Sequence, residues 1–124
     1  MKMFNSPDAP VALGPYCHAT FVSGMLFCSG QLGLDPKTGT LVDGIAAQTA
    51  QALSNLKAVL ASGDFTASNV VKTTVFLTDM NDFPAMNEVY EKFFNGHTPA
   101  RSTVAVKTLP KNALVEIECI AVCG

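Results

Sequence analysis

The run PARSTVAVKTLPKNALVEIECIAV, residues 99–122, contains two stretches that are typical of β-strands. In residues 101–109 and again in residues 113–122, alternating side chains would point to opposite faces of a sheet. The tripeptide Pro110-Lys111-Asn112 joins the two stretches. We therefore expect the chain to contribute two neighbouring strands to a sheet here.

Three further strands are predicted upstream of this run. The sequence HATFVSGMLFCSGQL, residues 18–32, contains two extended runs around Ser23-Gly24, a dipeptide that suits a short hairpin loop. The sequence NVVKTTVFLTDM, residues 69–80, is rich in β-branched residues, which favours a third strand.

A first helix is predicted over residues 43–65, because large side chains recur there at every third or fourth position. Asp43 is the expected N-cap, and Gly63 is expected to follow the last turn. The recurring positions are Ile45, Thr49, Leu53, Leu56 and Leu60.

Residues 81–97 predict a second helix. Asp82 would cap it, Pro84 would lie in the first turn where its missing N–H is harmless, and Gly96 would end it. Its apolar side comprises Phe83, Met86, Tyr90, Phe93 and Phe94.

The predicted order ββαβαββ describes an α+β fold, with a mixed sheet and two helices on one face. We expect a single domain over residues 1–124. The other sheet face also carries apolar residues, and only 15% of the chain is charged while 48% is apolar. Burial of that face in a symmetric assembly would compensate for the scarce polar surface. A dimer and a trimer satisfy this reasoning equally well.

The charge of the chain argues against several kinds of partner. A net charge of −2 and a pI near 5.5 provide no basic surface for nucleic acid. No apolar run approaches the length of a membrane span, and Asn5, Asp8 and three prolines interrupt the segment that a signal peptide would need. We expect a soluble cytoplasmic protein that binds neither membranes nor nucleic acid.

The four cysteines are expected to be reduced thiols with structural roles. They are Cys17, Cys28, Cys119 and Cys123. None of them forms a Cys-x-x-Cys pair, and their spacing, also with His18, is unlike that of a zinc finger or ribbon. No metal site is therefore predicted.

Arg101 is the most informative polar residue, because a guanidinium that opens a strand needs an anionic partner if it is buried. Strand alternation places Arg101 and Thr103 on one face, and Glu116 and Glu118 share a face of the next strand. This pattern indicates a polar pocket at a sheet edge or between subunits. The alternative is an Arg–Glu ion pair that only joins two strands.

Several motifs resemble the RidA/YjgF family of reactive-intermediate deaminases. They are GPY at residues 14–16, FCSGQLGLDPKTG at residues 27–39, TVFLTDMNDFPAMNEVYEKFF at residues 74–94, and the run over residues 99–122 quoted above. The resemblance covers nearly the whole chain in the same order. It implies a fold like that of the trimeric bacterial chorismate mutases, and a homotrimer with three sites at the subunit clefts.

The resemblance also implies an activity without metal or organic cofactor. Members hydrolyse 2-imino acids and their enamine tautomers, such as 2-aminoacrylate, 2-iminopropanoate and 2-iminobutanoate, to 2-oxo acids and ammonia. Arg101 would bind the substrate carboxylate, and Glu116 would hold the attacking water. Tyr16 would either shuttle a proton or pack on the ligand at the rim of the pocket.

Other positions would line the same pocket by resemblance. Ser29 and Gly30 would border it, with Gly30 allowing close approach of the backbone. Asn87 would lie near the cleft across the subunit boundary, unless it is an ordinary exposed helix residue. Thr103 departs from the cysteine that many family members carry two residues after the arginine, so no thiol chemistry is expected there. His18 and His97 match no catalytic position and are expected to be structural or exposed.

Two other functions remain open. One is a non-catalytic binder or sensor of 2-oxo acids or amino acids, which would use Arg101 in the same way but would not need Glu116. The other is an endoribonuclease or translation inhibitor, an activity also attributed to this family. The acidic chain without a basic stripe gives that activity little physical support.

Overall fold

A computed structural model describes residues 1–123 as a six-stranded mixed sheet with two α-helices on one face. The strands are β1 (Lys2–Phe4), β2 (Ala19–Val22), β3 (Met25–Leu32), β4 (Val70–Leu77), β5 (Ala100–Ala105) and β6 (Val115–Val122). The helices are α1 (Ile45–Ser62) and α2 (Phe83–Phe94). Short 3₁₀ helices at Ala67–Asn69, Met80–Asp82 and Pro110–Asn112 precede β4, α2 and β6. The predicted α+β architecture is confirmed.

The strand order in the sheet is β1-β2-β3-β6-β4-β5. All neighbours are antiparallel except β4 and β5, which run parallel and are connected through α2. Parallel neighbours need a long crossover connection, and the helix provides it.

One sequence-based expectation about the strands is wrong, and one strand is missed. β5 and β6 are not neighbours, because β4 lies between them and pairs with both. In this central position β6 is hydrogen-bonded on both sides, to β3 and to β4. The short strand β1 was not predicted, because three residues are too few to show a strand pattern, and it pairs with β2.

The two predicted side-chain caps do not form at the helix ends. α1 begins after Gly44, which adopts a φ of 87° that favours glycine, so Asp43 is not the N-cap. The Asp82 side chain makes no capping hydrogen bond to α2, although Pro84 lies in the first turn as predicted. α2 ends at left-handed Asn95, one residue before Gly96.

The hydrophobic core lies between the helices and the sheet. Leu53, Leu56 and Met86 are fully buried on the helices, and Val75 and Ile117 are fully buried on the central strands. All three helical residues belong to the apolar sides of the predicted helices, so burial of this stripe fixes which sheet face the helices cover.

The opposite sheet face is not covered within residues 1–123. Phe27 on β3 is 38% exposed and Val104 on β5 is 44% exposed. Phe76 and Ile120 between them are half-buried. These four residues define the open face of the sheet, which is the uncovered apolar surface that the sequence predicts.

The cysteines are free thiols. Cys28 and Cys119 are buried opposite each other on β3 and β6. A hydrogen bond with Cys28 and burial raise the pKa of the Cys119 thiol, so this thiol stays protonated and unreactive. Over the described part of the chain, neither helix has the length and apolar character to cross a membrane.

Candidate active site

Arg101 lies on the edge strand β5, and its side chain points to the helix face of the sheet. Its Nη1 donates a hydrogen bond to Asn87 Oδ1 at 2.7 Å. Its Cζ lies 4.7 Å from the ring centroid of Tyr90 and 5.4 Å from that of Phe83. The guanidinium is therefore held by an amide and two aromatic rings, all from α2.

The three α2 residues around Arg101 follow helical periodicity. Phe83, Asn87 and Tyr90 are spaced by four and three residues, so they lie on one face of the helix. The sequence predicts only a core position for the two aromatic residues. An asparagine between aromatic residues on one helical face was the signal that could have revealed this second role.

Tyr90 is itself held by the sheet beneath α2. Its hydroxyl forms a 2.7 Å hydrogen bond with Thr73 Oγ1, and its side chain is 7% exposed. Burial raises the pKa of the Tyr90 phenol, although the Thr73 hydrogen bond and the Arg101 charge act in the opposite direction. Thr73 lies on β4 directly beside Arg101 in the strand register, so the three side chains form one connected group.

Arg101 has no carboxylate partner among residues 1–123. The salt bridge found in that range joins Lys92 and Glu88 at 3.7 Å on the exposed side of α2. The alternative of an Arg–Glu pair that joins two strands is therefore not found in the described part of the chain. The physical reason is topological, because β4 separates the two strands and the two side chains point to opposite sheet faces.

A cleft of about 480 Å³ opens beside Arg101. Asn87, Tyr90, His97 and Pro99 also line it. His97 Nε2 bonds to the Val70 backbone oxygen at 2.7 Å, so this histidine holds the end of α2 to β4, in line with the structural role expected for it. The cleft is large enough for a small carboxylic acid, and Arg101 is the guanidinium that lines it, with Glu91 as the one carboxylate in the lining.

Glu116 lies on β6 and faces the open side of the sheet, opposite Phe76 and Leu32 in the strand register. It is half-buried, and burial raises the pKa of its carboxyl group, with a smaller contribution from the nearby charge of Glu118. A carboxyl group with a raised pKa in a partly buried position is suited to accept a proton and return it.

Gly30 lies directly under this carboxyl group. A Cβ atom at Gly30 would be only 2.6 Å from Glu116 Oε2. The resemblance implies that Gly30 admits a ligand, whereas here its missing side chain makes room for Glu116. The glycine is therefore needed for the position of the carboxylate.

Tyr16 borders the same region. It lines a cleft of about 260 Å³ together with Gly30, Lys111 and Glu116, and its side chain is 54% exposed. The adjacent Ser29 donates its hydroxyl hydrogen bond to the Cys17 backbone oxygen at 2.7 Å. In the chain, Ser29 therefore holds the segment next to Tyr16.

His18 has a structural role that sequence reasoning identified only in general terms. The residue is 2% exposed. Its Nδ1 accepts a hydrogen bond from the Ser6 N–H at 2.9 Å, and its Nε2 donates to the Pro10 backbone oxygen at 2.7 Å. The imidazole thereby holds the N-terminal segment that leads to Tyr16.

Thr103 shares the helix face of β5 with Arg101. Its Oγ1 is buried and has no hydrogen-bond partner among residues 1–123. No group of three metal-binding side chains forms in the same range. The sequence-predicted residues thus fall into two groups: an arginine half-site (Arg101, Asn87 and Thr103) and a glutamate half-site (Glu116, Gly30, Ser29 and Tyr16).

Comparison with known proteins identifies a family. A family model described as Endoribonuclease L-PSP matches residues 6–123. The mouse protein named 2-iminobutanoate/2-iminopropanoate deaminase is 47% identical over 124 residues, which cover 99% of this chain and 92% of the mouse protein. A RutC family protein from Aquifex aeolicus is 46% identical over 124 residues, covering 98% of this chain and 99% of its own.

Solved structures agree with the fold. The structure of E. coli TdcF with bound serine superposes with a TM-score of 0.96 at 39% identity, covering 100% of both chains. The family model and the relatives span almost the whole chain, including both half-sites. The chain therefore belongs to the endoribonuclease L-PSP family, which is the RidA/YjgF family that its motifs resemble.

Proposed function

We propose that the protein hydrolyses 2-imino acids and their enamine tautomers, such as 2-aminoacrylate, 2-iminopropanoate and 2-iminobutanoate, to 2-oxo acids and ammonia. The observation that carries this proposal is Arg101, a restrained guanidinium on a small cleft without a carboxylate partner in the described residues. The name of the mouse relative, 2-iminobutanoate/2-iminopropanoate deaminase, supports the same reaction.

Arg101 would bind the substrate carboxylate. A guanidinium has five N–H donors, and Asn87 accepts one hydrogen bond from it. Two of the remaining donors suffice for a bidentate pair with a carboxylate. Such charge-assisted bonds contribute about 1.5–3 kcal/mol each, which is enough to orient a small substrate.

Glu116 would activate the water molecule. With the substrate as its iminium cation, the carboxylate takes a proton while the water oxygen bonds to the imine carbon, and the C=N electron pair moves to nitrogen to give a neutral carbinolamine. Glu116 then returns the proton to this nitrogen, the C–N bond breaks as the C=O bond forms, and the hydroxyl proton leaves with ammonia as ammonium. A positioned general base typically contributes about 10²–10⁴ in rate.

The other site residues would support these two groups. Tyr16 would orient the substrate or carry the proton to the leaving nitrogen, and Gly30 would keep the Glu116 carboxylate in place. Ser29 would hold the loop beside Tyr16. The Thr103 backbone amide would contact the substrate carboxylate near Arg101.

We further propose that each complete site forms between two subunits of a homotrimer. Arg101 faces the helix side of the sheet and Glu116 faces the open side, so one chain does not bring them together. Burial of the open face, with Phe27 and Val104, would drive the assembly.

The test is a coupled assay in which a serine or threonine dehydratase generates imino acid and the release of 2-oxo acid is followed. The parent should accelerate release, and Arg101→Ala should not. Lys92→Ala is the matched control, because it removes one exposed cation from the nearby helix α2. Full activity of Arg101→Ala would refute the proposal.

The same assay separates deamination from non-catalytic binding of 2-oxo acids or amino acids. The structure of E. coli TdcF favours this second candidate, because that related protein has serine bound. If the parent binds 2-oxobutanoate but does not accelerate hydrolysis, the binder is the correct function. Glu116→Gln should bind 2-oxobutanoate as the parent does and should lose turnover.

A further inference from the structure

We propose that Tyr90 is a positioning residue for Arg101, with its aromatic ring as the fixed surface over which the guanidinium carbon lies. The inference rests on the proposed function in one respect, because the carboxylate that the positioned guanidinium binds is taken to be that of the substrate.

Arg101 needs restraint from its surroundings. It is the only arginine in the chain, and it has no carboxylate partner among residues 1–123 to fix its long side chain. Asn87 accepts a hydrogen bond from Nη1 and holds that edge of the guanidinium. The rings of Tyr90 and Phe83 lie 4.7 Å and 5.4 Å from Cζ and restrain its faces.

Tyr90 is better anchored than the group it contacts. Its hydroxyl is tied to Thr73, which is fully buried on the central strand β4. Its ring packs on Phe94 with the centroids 4.8 Å apart. Tyr90 thus connects the central sheet to a guanidinium on an edge strand. Its hydroxyl binds the sheet, and its ring contacts the guanidinium.

This positioning affects binding more than the chemical step. With two aromatic rings within 5.4 Å of Cζ and Nη1 bound to Asn87, the guanidinium has fewer orientations open to it before the ligand arrives. A preorganised donor loses less conformational freedom when it binds a carboxylate. Loss of the Tyr90 ring should therefore weaken ligand binding and leave the water-activating Glu116 unaffected.

The experiment compares Tyr90→Leu, which removes the ring, with Tyr90→Phe, which keeps the ring and removes only the hydroxyl. Phe93→Leu is the control, because Phe93 is also an α2 aromatic that packs on Phe94, although it is half-buried, and its ring does not lie beneath the Arg101 guanidinium. Affinity is measured with 2-oxobutanoate by calorimetry. Mobility is measured by ¹⁵N relaxation of the Nε–H group, which gives a single arginine signal in this chain.

We expect Tyr90→Leu to raise the Kd for 2-oxobutanoate about tenfold and to mobilise the Arg101 Nε–H, with little change in kcat. Tyr90→Phe should lower the melting temperature, because it leaves the Thr73 hydroxyl unpaired, but should keep the Kd within about threefold. Phe93→Leu should lower stability and leave both the Kd and the Nε–H signal unchanged.

A Tyr90→Leu variant with unchanged affinity and a restricted Nε–H would overturn the inference. So would a Phe93→Leu variant that weakens binding as strongly as Tyr90→Leu does. Failure of the proposed function would give a different result. The parent would not bind 2-oxobutanoate, while removal of the Tyr90 ring would still mobilise the Arg101 Nε–H. That result would refute the carboxylate role and support the positioning role.

Discussion

At the scale of single residues, Glu116 lies where the protein favours its protonated form. Burial raises the pKa of its carboxyl group above the ordinary value of 4.5, and the like charge of Glu118 adds to the effect. The folded protein therefore binds this proton more tightly than the unfolded chain does. The carboxylate form carries a cost to folding, which appears as the pH rises through the raised pKa.

The activity should show the corresponding acid limb. The proposed base works only as a carboxylate, so kcat/KM should fall as the pH drops through a midpoint above 4.5. Glu118→Gln removes the like charge and should shift this midpoint to lower pH. The check is a pH profile together with a ¹³C NMR titration of the Glu116 carboxyl group. Glu88→Gln, an exposed position on α2 outside the Arg101 cleft, serves as control, and an equal shift in that variant would contradict the role of Glu118.

Gly30 and Gly33 offer a matched pair of glycine substitutions. A Cβ at Gly30 would meet the flexible end of Glu116, whereas a Cβ at Gly33 would come within 2.6 Å of the Gln48 backbone on α1. Gly30→Ala should therefore displace the carboxylate and reduce kcat/KM about tenfold or more, with a small loss of stability. Gly33→Ala should mainly lower the melting temperature. Full activity in Gly30→Ala would contradict the position assigned to Glu116.

At the scale of elements, the sequence predicts which segments form helices and strands better than it predicts which strands pair. The helices and the longer strands follow from apolar spacing and β-branched composition, because both depend on neighbours within a few residues. The position of β4 between β5 and β6 is a non-local choice that no single segment encodes. The same limit affects the site. The charge of Arg101 at the start of a strand marks it as a candidate, but its contact with Tyr90 depends on how α2 crosses from β4 to β5.

The segment between β1 and β2, residues 5–18, has no helix or strand, and His18 holds it in place. The imidazole forms hydrogen bonds with the Ser6 backbone N–H and the Pro10 backbone oxygen. The backbone N–H of His18 donates to Asn5 Oδ1 at 3.1 Å. His18→Phe should release this segment, because it removes both ring hydrogen bonds from a buried site. Hydrogen exchange of the Ser6 amide should accelerate, and kcat/KM should fall as Tyr16 loses its support.

The control for this prediction is His97→Phe. That change breaks the bond to Val70 at the other histidine and should leave Ser6 exchange unchanged. Equal exchange of the Ser6 amide in the parent and in His18→Phe would show that the segment is held by other contacts.

At the scale of the whole molecule, the proposed activity needs two half-sites that one chain does not bring together. The arginine half-site and the glutamate half-site lie on opposite faces of one sheet. A closed ring of subunits brings the face of one chain against another, which is the arrangement that the exposed Phe27 and Val104 favour. The proposed activity then depends on assembly, and this dependence is testable without knowing the preferred substrate.

Two inactive variants should restore each other when they are refolded together. Arg101→Ala keeps the glutamate half-site and Glu116→Gln keeps the arginine half-site, so a mixed trimer regains sites in which both halves are intact. With random mixing at equal amounts, each half is intact with a chance of one in two, and about a quarter of the parent activity should return. Arg101→Ala mixed with the Arg101→Ala/Glu116→Gln double variant is the control and should stay inactive. If the first mixture also stays inactive while mass spectrometry detects mixed trimers, both groups act within one chain and the site between subunits is wrong.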